Sequence, residues 1–320
     1  MYNQPEAILE QYDLEINQIT KGRGAYICDT GCGMKLLVPF RGSKERAAFL
    51  LEALKRLEEA GCDVEQIVPT KEGEPLAEDE TGGRYWLKTC VTGSECSTSR
   101  EGDMVKAVRL LAGLHTAIEA CAFEVPDFMV SDRNEPGQMY ERHYRELVKL
   151  KNYVRGRRSK NAFERSFQEQ YPRYIEEAGR ALELMGQQGV PYRLCHGDMN
   201  QHNVVRTPAG LRIINFENMC WNPAVSDLAN FLRKLLEKNN WNSGLGMRLL
   251  TEYQRQRPLA KEELRHLYLT LLFPEKFWKI ANHYANSHKV LSGRDMEKLD
   301  KVIAQEGARS IFLEKLFSIV

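Results

Sequence analysis

An aspartate and an asparagine five residues apart carry the clearest chemistry in this sequence. The stretch Leu194-Cys195-His196-Gly197-Asp198-Met199-Asn200-Gln201-His202-Asn203-Val204-Val205 sets both in a polar loop between short apolar runs. A second polar cluster ends the next apolar run, Leu211-Arg212-Ile213-Ile214-Asn215-Phe216-Glu217. Phosphoryl transfer needs a carboxylate to orient and deprotonate the attacking hydroxyl, and oxygen donors to hold magnesium against the nucleotide phosphates. Asp198 suits the first task and Asn203 half of the second. The competing reading is that both side chains only cap turns. His196 is expected to orient the loop through hydrogen bonds rather than shuttle a proton, and His202 to be structural or solvent-facing.

Two short strands, 192–195 and 203–206, must bracket that loop, and a third, 211–216, must deliver the second cluster. Most of what surrounds them reads as helix. Val105, Val108, Leu111, Ala112, His115 and Ile118 share one face of a helix from 103 to 121, and further helices are expected at about 140–155, 161–188, 224–239, 243–257 and 260–286. Before Val91-Thr92-Gly93 the texture differs. Ala25-Tyr26-Ile27-Cys28 and Met34-Lys35-Leu36-Leu37-Val38 flank the turn Asp29-Thr30-Gly31-Cys32-Gly33, and Arg84 to Cys90 forms another strand. Apolar residues at 47, 50, 51, 54 and 57 follow Ser43, a helix with a serine N-cap. These elements predict an α+β chain with a small sheet-plus-helix lobe over residues 1–92 and a mainly helical lobe over 93–320.

At 320 residues the chain has room for one large core or two apposed lobes. Hydrophobic residues make up 42% and charged residues 28%, the range of ordinary globular proteins. Lys plus Arg number 45 against 44 Asp plus Glu, so no global field favours nucleic acid or an anionic membrane. No stretch is apolar for long enough to span a bilayer, and Met1 to Glu6 has no leader-like pattern, so a cytoplasmic protein is expected. The eight cysteines are scattered without zinc or redox spacing and read as free thiols. The basic run Arg155-Gly156-Arg157-Arg158-Ser159-Lys160 reads as a solvated loop.

The loop His196-Gly197-Asp198 with Asn203 resembles the catalytic loop of the aminoglycoside phosphotransferase and choline kinase group, which implies a bilobal protein-kinase-like fold. On that resemblance Asp198 is the catalytic base with His196 beside it, Asn203, Asn215 and Glu217 hold the metal, and ATP and Mg²⁺ are the cofactors. Asp227, in Ser226-Asp227-Leu228-Ala229-Asn230, matches the residue that braces the catalytic loop, and is also an ordinary helix N-terminal carboxylate. The resemblance narrows to the CotS-type spore coat proteins, including the YutH-like members. It is carried by residues 196–203, by Asp227-Leu228-Ala229-Asn230-Phe231-Leu232-Arg233-Lys234, and by Phe273-Pro274-Glu275-Lys276-Phe277-Trp278-Lys279. On physics alone the last segment is a kinked amphipathic helix start. The resemblance implies a mother-cell and spore-coat setting, with coat proteins, a nucleotide and a small-molecule acceptor as partners.

Two positions depart from a fully equipped kinase. Asn215 stands where the family has an aspartate at the metal, removing a charge whose loss costs on the order of 10²–10³ in rate. Leu37 stands where aligning Gly33-Met34-Lys35-Leu36-Leu37 expects the phosphate-binding lysine. Lys35, two residues earlier and on the same strand face, is then the candidate, with Glu52 as its ion-pair partner or else as a surface glutamate. Gly22 and Gly24 stand at the place of the glycine loop. Two readings follow: a spore-coat protein with a partly degraded phosphotransferase site, favoured by Leu37 and Asn215, or an active ATP-dependent kinase of a small-molecule hydroxyl.

Overall fold

A computed structural model describes residues 5–131, 135–186, 189–287 and 293–320. Residues 187–188, the end of the helix expected at 161–188, and residues 1–4 at the start of the chain lie outside the described residues.

The first part of the chain builds a sheet. A short helix α1 (Pro5–Leu9) precedes β1 (Ile16–Lys21), β2 (Tyr26–Thr30) and β3 (Lys35–Pro39), then α2 (Lys44–Glu59), β4 (Ile67–Val68), β5 (Ala77–Glu78) and β6 (Arg84–Thr89). The order is β1-β2-β3-β6-β4, all antiparallel, with β5 also on β6. Gly33 takes a φ of 89° in the β2–β3 turn, a left-handed conformation that suits glycine. Helix α2 starts at Ser43, whose side chain accepts from the Arg46 amide at 3.1 Å and satisfies one orphan donor of the first turn.

The two faces of this sheet do different work, because successive side chains alternate. One face packs under α2, with Trp86 buried against Phe40 and with Leu50, Leu54 and Leu57. The other forms a separate small cluster of Ile8, Leu9, Tyr12, Cys28, Leu37 and Leu87. In β3 and β6 the register pairs Leu36 with Lys88, Val38 with Trp86, and Leu37 with Leu87. Leu36, Val38, Trp86 and Lys88 therefore face α2, while Lys35 and Leu37 lie on the opposite face.

From β7 (Ser94–Glu95) onward the chain is mostly helical: α3 (Glu101–Cys121), α4 (Asp127–Ser131), α5 (Pro136–Gly156) and α6 (Ala162–Met185). Four short strands, β8 (Tyr192–Cys195), β9 (Val204–Thr207), β10 (Gly210–Ile213) and β11 (Cys220–Pro223), pair as β10-β9-β7 and β11-β8. Then come α7 (Val225–Lys238), α8 (Ser243–Gln254), α9 (Lys261–Leu272), α10 (Glu275–Asn286) and α11 (Gly293–Phe317). The helix expected over 260–286 is two helices. Pro274 has no amide to donate and disfavours helical backbone at Phe273, so α9 stops there. Phe273 stacks on Tyr140 at 4.3 Å between centroids and Trp278 on His143 at 3.3 Å, which anchors α10 to α5. Among the described residues no helix is long and apolar enough to cross a membrane.

Candidate functional site

The loop after β8 is fixed from beneath. Asp227, in the first turn of α7 and 4% exposed, accepts from the His196 amide at 2.7 Å and the Gly197 amide at 2.9 Å. His115 of α3 donates from Nε2 to the same carboxylate at 3.2 Å, and its Nδ1 is hydrogen-bonded to the Tyr253 hydroxyl at 2.7 Å. Burial pushes the Asp227 pKa up, but the hydrogen bond and charge of His115, with His196 and the Gly197 amide, outweigh it and hold the group below the ordinary carboxylate value. Gly197 has φ 82°, and a Cβ there would collide with the Asn218 carbonyl, so the sharp turn requires glycine. The buried His196 ring joins the two candidate loops: Nε2–H donates to the Ile214 carbonyl at 2.9 Å and Nδ1 accepts from the Asp198 amide at 3.2 Å. His202 is 60% exposed at its side chain and pairs with Glu95 at 2.7 Å.

Asp198, Asn203 and Asn215 form one chain of contacts. Asn203 Nδ2 donates to the Asp198 carbonyl at 2.8 Å and to Asp198 Oδ2 at 3.2 Å. Asn215 Nδ2 donates to Asn203 Oδ1 at 2.8 Å. Asn215 itself has φ 66°, a left-handed conformation that asparagine tolerates better than most residues, and stands at the N-cap position of the 3-10 turn Phe216–Asn218.

The chain ends on a lysine that the sequence did not point to. Lys88 of β6, 3% exposed, places Nζ 3.1 Å from Asn215 Oδ1, 3.0 Å from Glu217 Oε1 and 3.3 Å from Glu65 Oε2. Glu65 uses its other oxygen to accept from the Asn215 amide at 2.7 Å and the Phe216 amide at 3.1 Å. Burial would lower the Lys88 pKa, but the Glu65 and Glu217 carboxylates outweigh it and hold it above the ordinary lysine value. This donor set fits a divalent cation poorly. Both amide oxygens already accept hydrogen bonds from the protein, and Glu217, the one carboxylate of the expected set, is paired with an ammonium.

The expected pair of Lys35 with Glu52 does not form. Lys35 shares the strand face of Leu37, turned from α2, and Glu52 is exposed on α2; among the described residues neither enters an ion pair. A one-residue error of register moves a side chain to the other face of a sheet, and this is the source of the mistaken assignment. Helix α2 reaches the site instead through Arg46, which donates from Nε and Nη2 to the Glu217 carbonyl at 3.1 and 2.9 Å. Gly22 and Gly24 lie in the tight β1–β2 turn, where the Gly22 amide donates to the Ala25 carbonyl at 2.9 Å and Gly24 has φ 76°. Lys234 of α7 is a further residue without a role in the sequence reading. Its Nζ stands 3.3 Å from Asp198 Oδ1.

A small antiparallel sheet lobe over a mostly helical lobe, with these loops between strands, is the fold of the kinase-like phosphotransferases. The chain belongs to the family described as spore coat putative kinase YutH, whose model matches residues 5–316. It is similar to spore coat protein S of Bacillus subtilis (strain 168), 24% identical over 331 residues that take in 97% of this chain and 92% of that protein. Among solved structures it resembles an aminoglycoside phosphotransferase from Alicyclobacillus acidocaldarius, 21% identical with a TM-score of 0.86, covering 98% of this chain and 96% of that one. An AMP-bound spectinomycin phosphotransferase is 15% identical with a TM-score of 0.66, covering 95% and 96%. At such identities these structures speak for the fold alone.

Proposed function

We propose that this chain is a spore-coat-associated protein whose kinase-like cleft binds an ATP-type nucleotide weakly and transfers phosphoryl groups slowly or not at all. Family membership and the likeness to spore coat protein S support the coat setting, with assembly from the mother-cell cytoplasm and coat proteins as partners. The AMP in a structural neighbour supports the nucleotide, held between lobes of residues 1–92 and 93–320.

The observation that carries the weak-activity reading is the position of the Lys88 ammonium, bonded to Asn215 and Glu217, two of the three groups expected at the metal. A buried fixed cation there supplies positive charge for a phosphate without recruiting Mg²⁺, and it is less charge than the ion would bring. In this reading Asp198 remains the group able to accept a hydroxyl proton, His196 and Asp227 position it, and Asn203 holds its carboxylate. Asp198 also pairs with Lys234, which occupies one of its oxygens.

The retained Asp198–Asn203 contact favours a second reading, an active kinase of a small-molecule hydroxyl. ATP consumption in the presence of Mg²⁺, measured for the wild type and Asp198→Ala side by side, separates the two. Our reading expects turnover that is slow or absent in the wild type and no faster in the variant. Rapid turnover abolished by the substitution would establish the second.

A further inference from the structure

Asp198 also lines an open cavity of about 510 Å³ bounded by α7, α10, α11 and the catalytic loop. Its wall carries five lysines: Lys234 and Lys238 of α7, Lys276 of α10, and Lys298 and Lys301 of α11. The carboxylates on that wall are Asp198 and Glu237. Both are already compensated, Asp198 by Lys234 at 3.3 Å, and Glu237 by Arg233 at 2.7 Å and Lys276 at 3.6 Å. Lys298 reaches Asp295 only at 3.9 Å, and among the described residues no carboxylate lies within ion-pair distance of Lys238 or Lys301.

The positive charge is therefore in excess within a concave site. Lysines 234 and 238 stand one helical turn apart, as do 298 and 301, an arrangement of like charges that destabilises a helix unless an anion intervenes. Burial holds the Lys234 pKa below the ordinary lysine value despite Asp198, and Arg233 and Lys279 push the same way. Low-dielectric walls focus such a field and concentrate counter-ions.

We propose that this cavity binds a small hydroxylated polyanion, a sugar or polyol carrying two or more phosphate or carboxylate groups, with a hydroxyl donating to Asp198. The inference deepens the kinase-fold reading and rests on it only for the part given to Asp198. A cationic ligand would meet repulsion from the whole wall.

Calorimetric titration of the full chain at low ionic strength tests the idea with fructose 1,6-bisphosphate and galactarate as phosphate and carboxylate probes, glucose as a neutral probe and spectinomycin as a cationic one. At least one of the two polyanions is expected to bind, and whichever binds identifies the anionic group; glucose and spectinomycin are expected not to bind. Lys238→Ala with Lys301→Ala, both exposed positions, should weaken polyanion binding by about tenfold or more, and added salt should weaken it further. Failure of both polyanions, preferred binding of spectinomycin, or polyanion binding indifferent to the double substitution would overturn the proposal. ATP affinity of the same variant should be unchanged. A parallel fall would also overturn it, since the lysines would then serve nucleotide phosphates. Polyanion binding without ATP binding would contradict only the nucleotide reading, and the reverse only this inference.

Discussion

Asp227→Ala is expected to destabilise the protein by about 3–5 kcal/mol, the range for removing one partner from a buried ion pair. The carboxylate is the common acceptor for two loop amides and for His115; His115 and His196 are buried with it, while Gly197 is exposed. Without it the His115 and His196 donors lose their partner away from water, and each unsatisfied buried donor costs about 1–3 kcal/mol. Asp227→Asn should recover little, because its amide would turn a donor toward donors. The pH dependence follows from the depressed pKa. A carboxyl with a lower pKa in the folded state adds stability above its unfolded pKa and loses it as pH falls through the folded one. The wild-type and Asp227→Ala stability curves should thus stay apart at neutral pH and converge only below the ordinary carboxylate range. Urea denaturation across pH checks this, and a loss under about 1 kcal/mol at neutral pH would contradict the bracing role.

Lys88→Met is expected to cost a similar 3–5 kcal/mol, again by leaving a buried charge without its partner. Glu65 is 3% exposed, and with Lys88 gone its carboxylate keeps only the Asn215 and Phe216 amides. Adding Glu65→Gln should restore part of the loss, since the neutral amide oxygen still accepts from those amides and no charge is stranded. The double-mutant cycle is therefore expected to show coupling of about 1–3 kcal/mol. Simple additivity would mean that the ammonium is not held by Glu65. Because the folded Lys88 pKa is raised, its contribution is complete at neutral pH and is lost only as pH rises through the elevated folded value.

The parts of the site that lie close together in sequence were legible there. Residues 196–203 announce themselves by spacing, because a polar loop directly follows a strand, whereas Asp227 was carried by the resemblance of its Asp-Leu-Ala helix start. Lys88 does not, since its partner Glu217 is 129 residues away and a lysine in a strand is usually at the surface. A weak signal was available in Tyr85-Trp86-Leu87-Lys88, where alternation places the lysine on the same face as the tryptophan under α2. The choice of Leu37 as the missing lysine's position failed on register. Apolar residues stand at 36, 37 and 38 in succession, so the pattern does not say which face is which. Strand β11 went unread because Cys220-Trp221-Asn222-Pro223 has neither an apolar run nor clean alternation, and its pairing with β8 fixes it. The break at Phe273 was readable from Pro274 alone.

In the proposed function the phosphate end of the cleft is organised around Lys88 instead of a divalent ion. Calorimetric titration of ATP into the full chain, with Mg²⁺ and then with the metal removed by chelation, tests it most directly. The account predicts an affinity weaker than micromolar that changes by less than roughly threefold, under 1 kcal/mol, when Mg²⁺ is withdrawn. Submicromolar binding of Mg-ATP that disappears on chelation would contradict it.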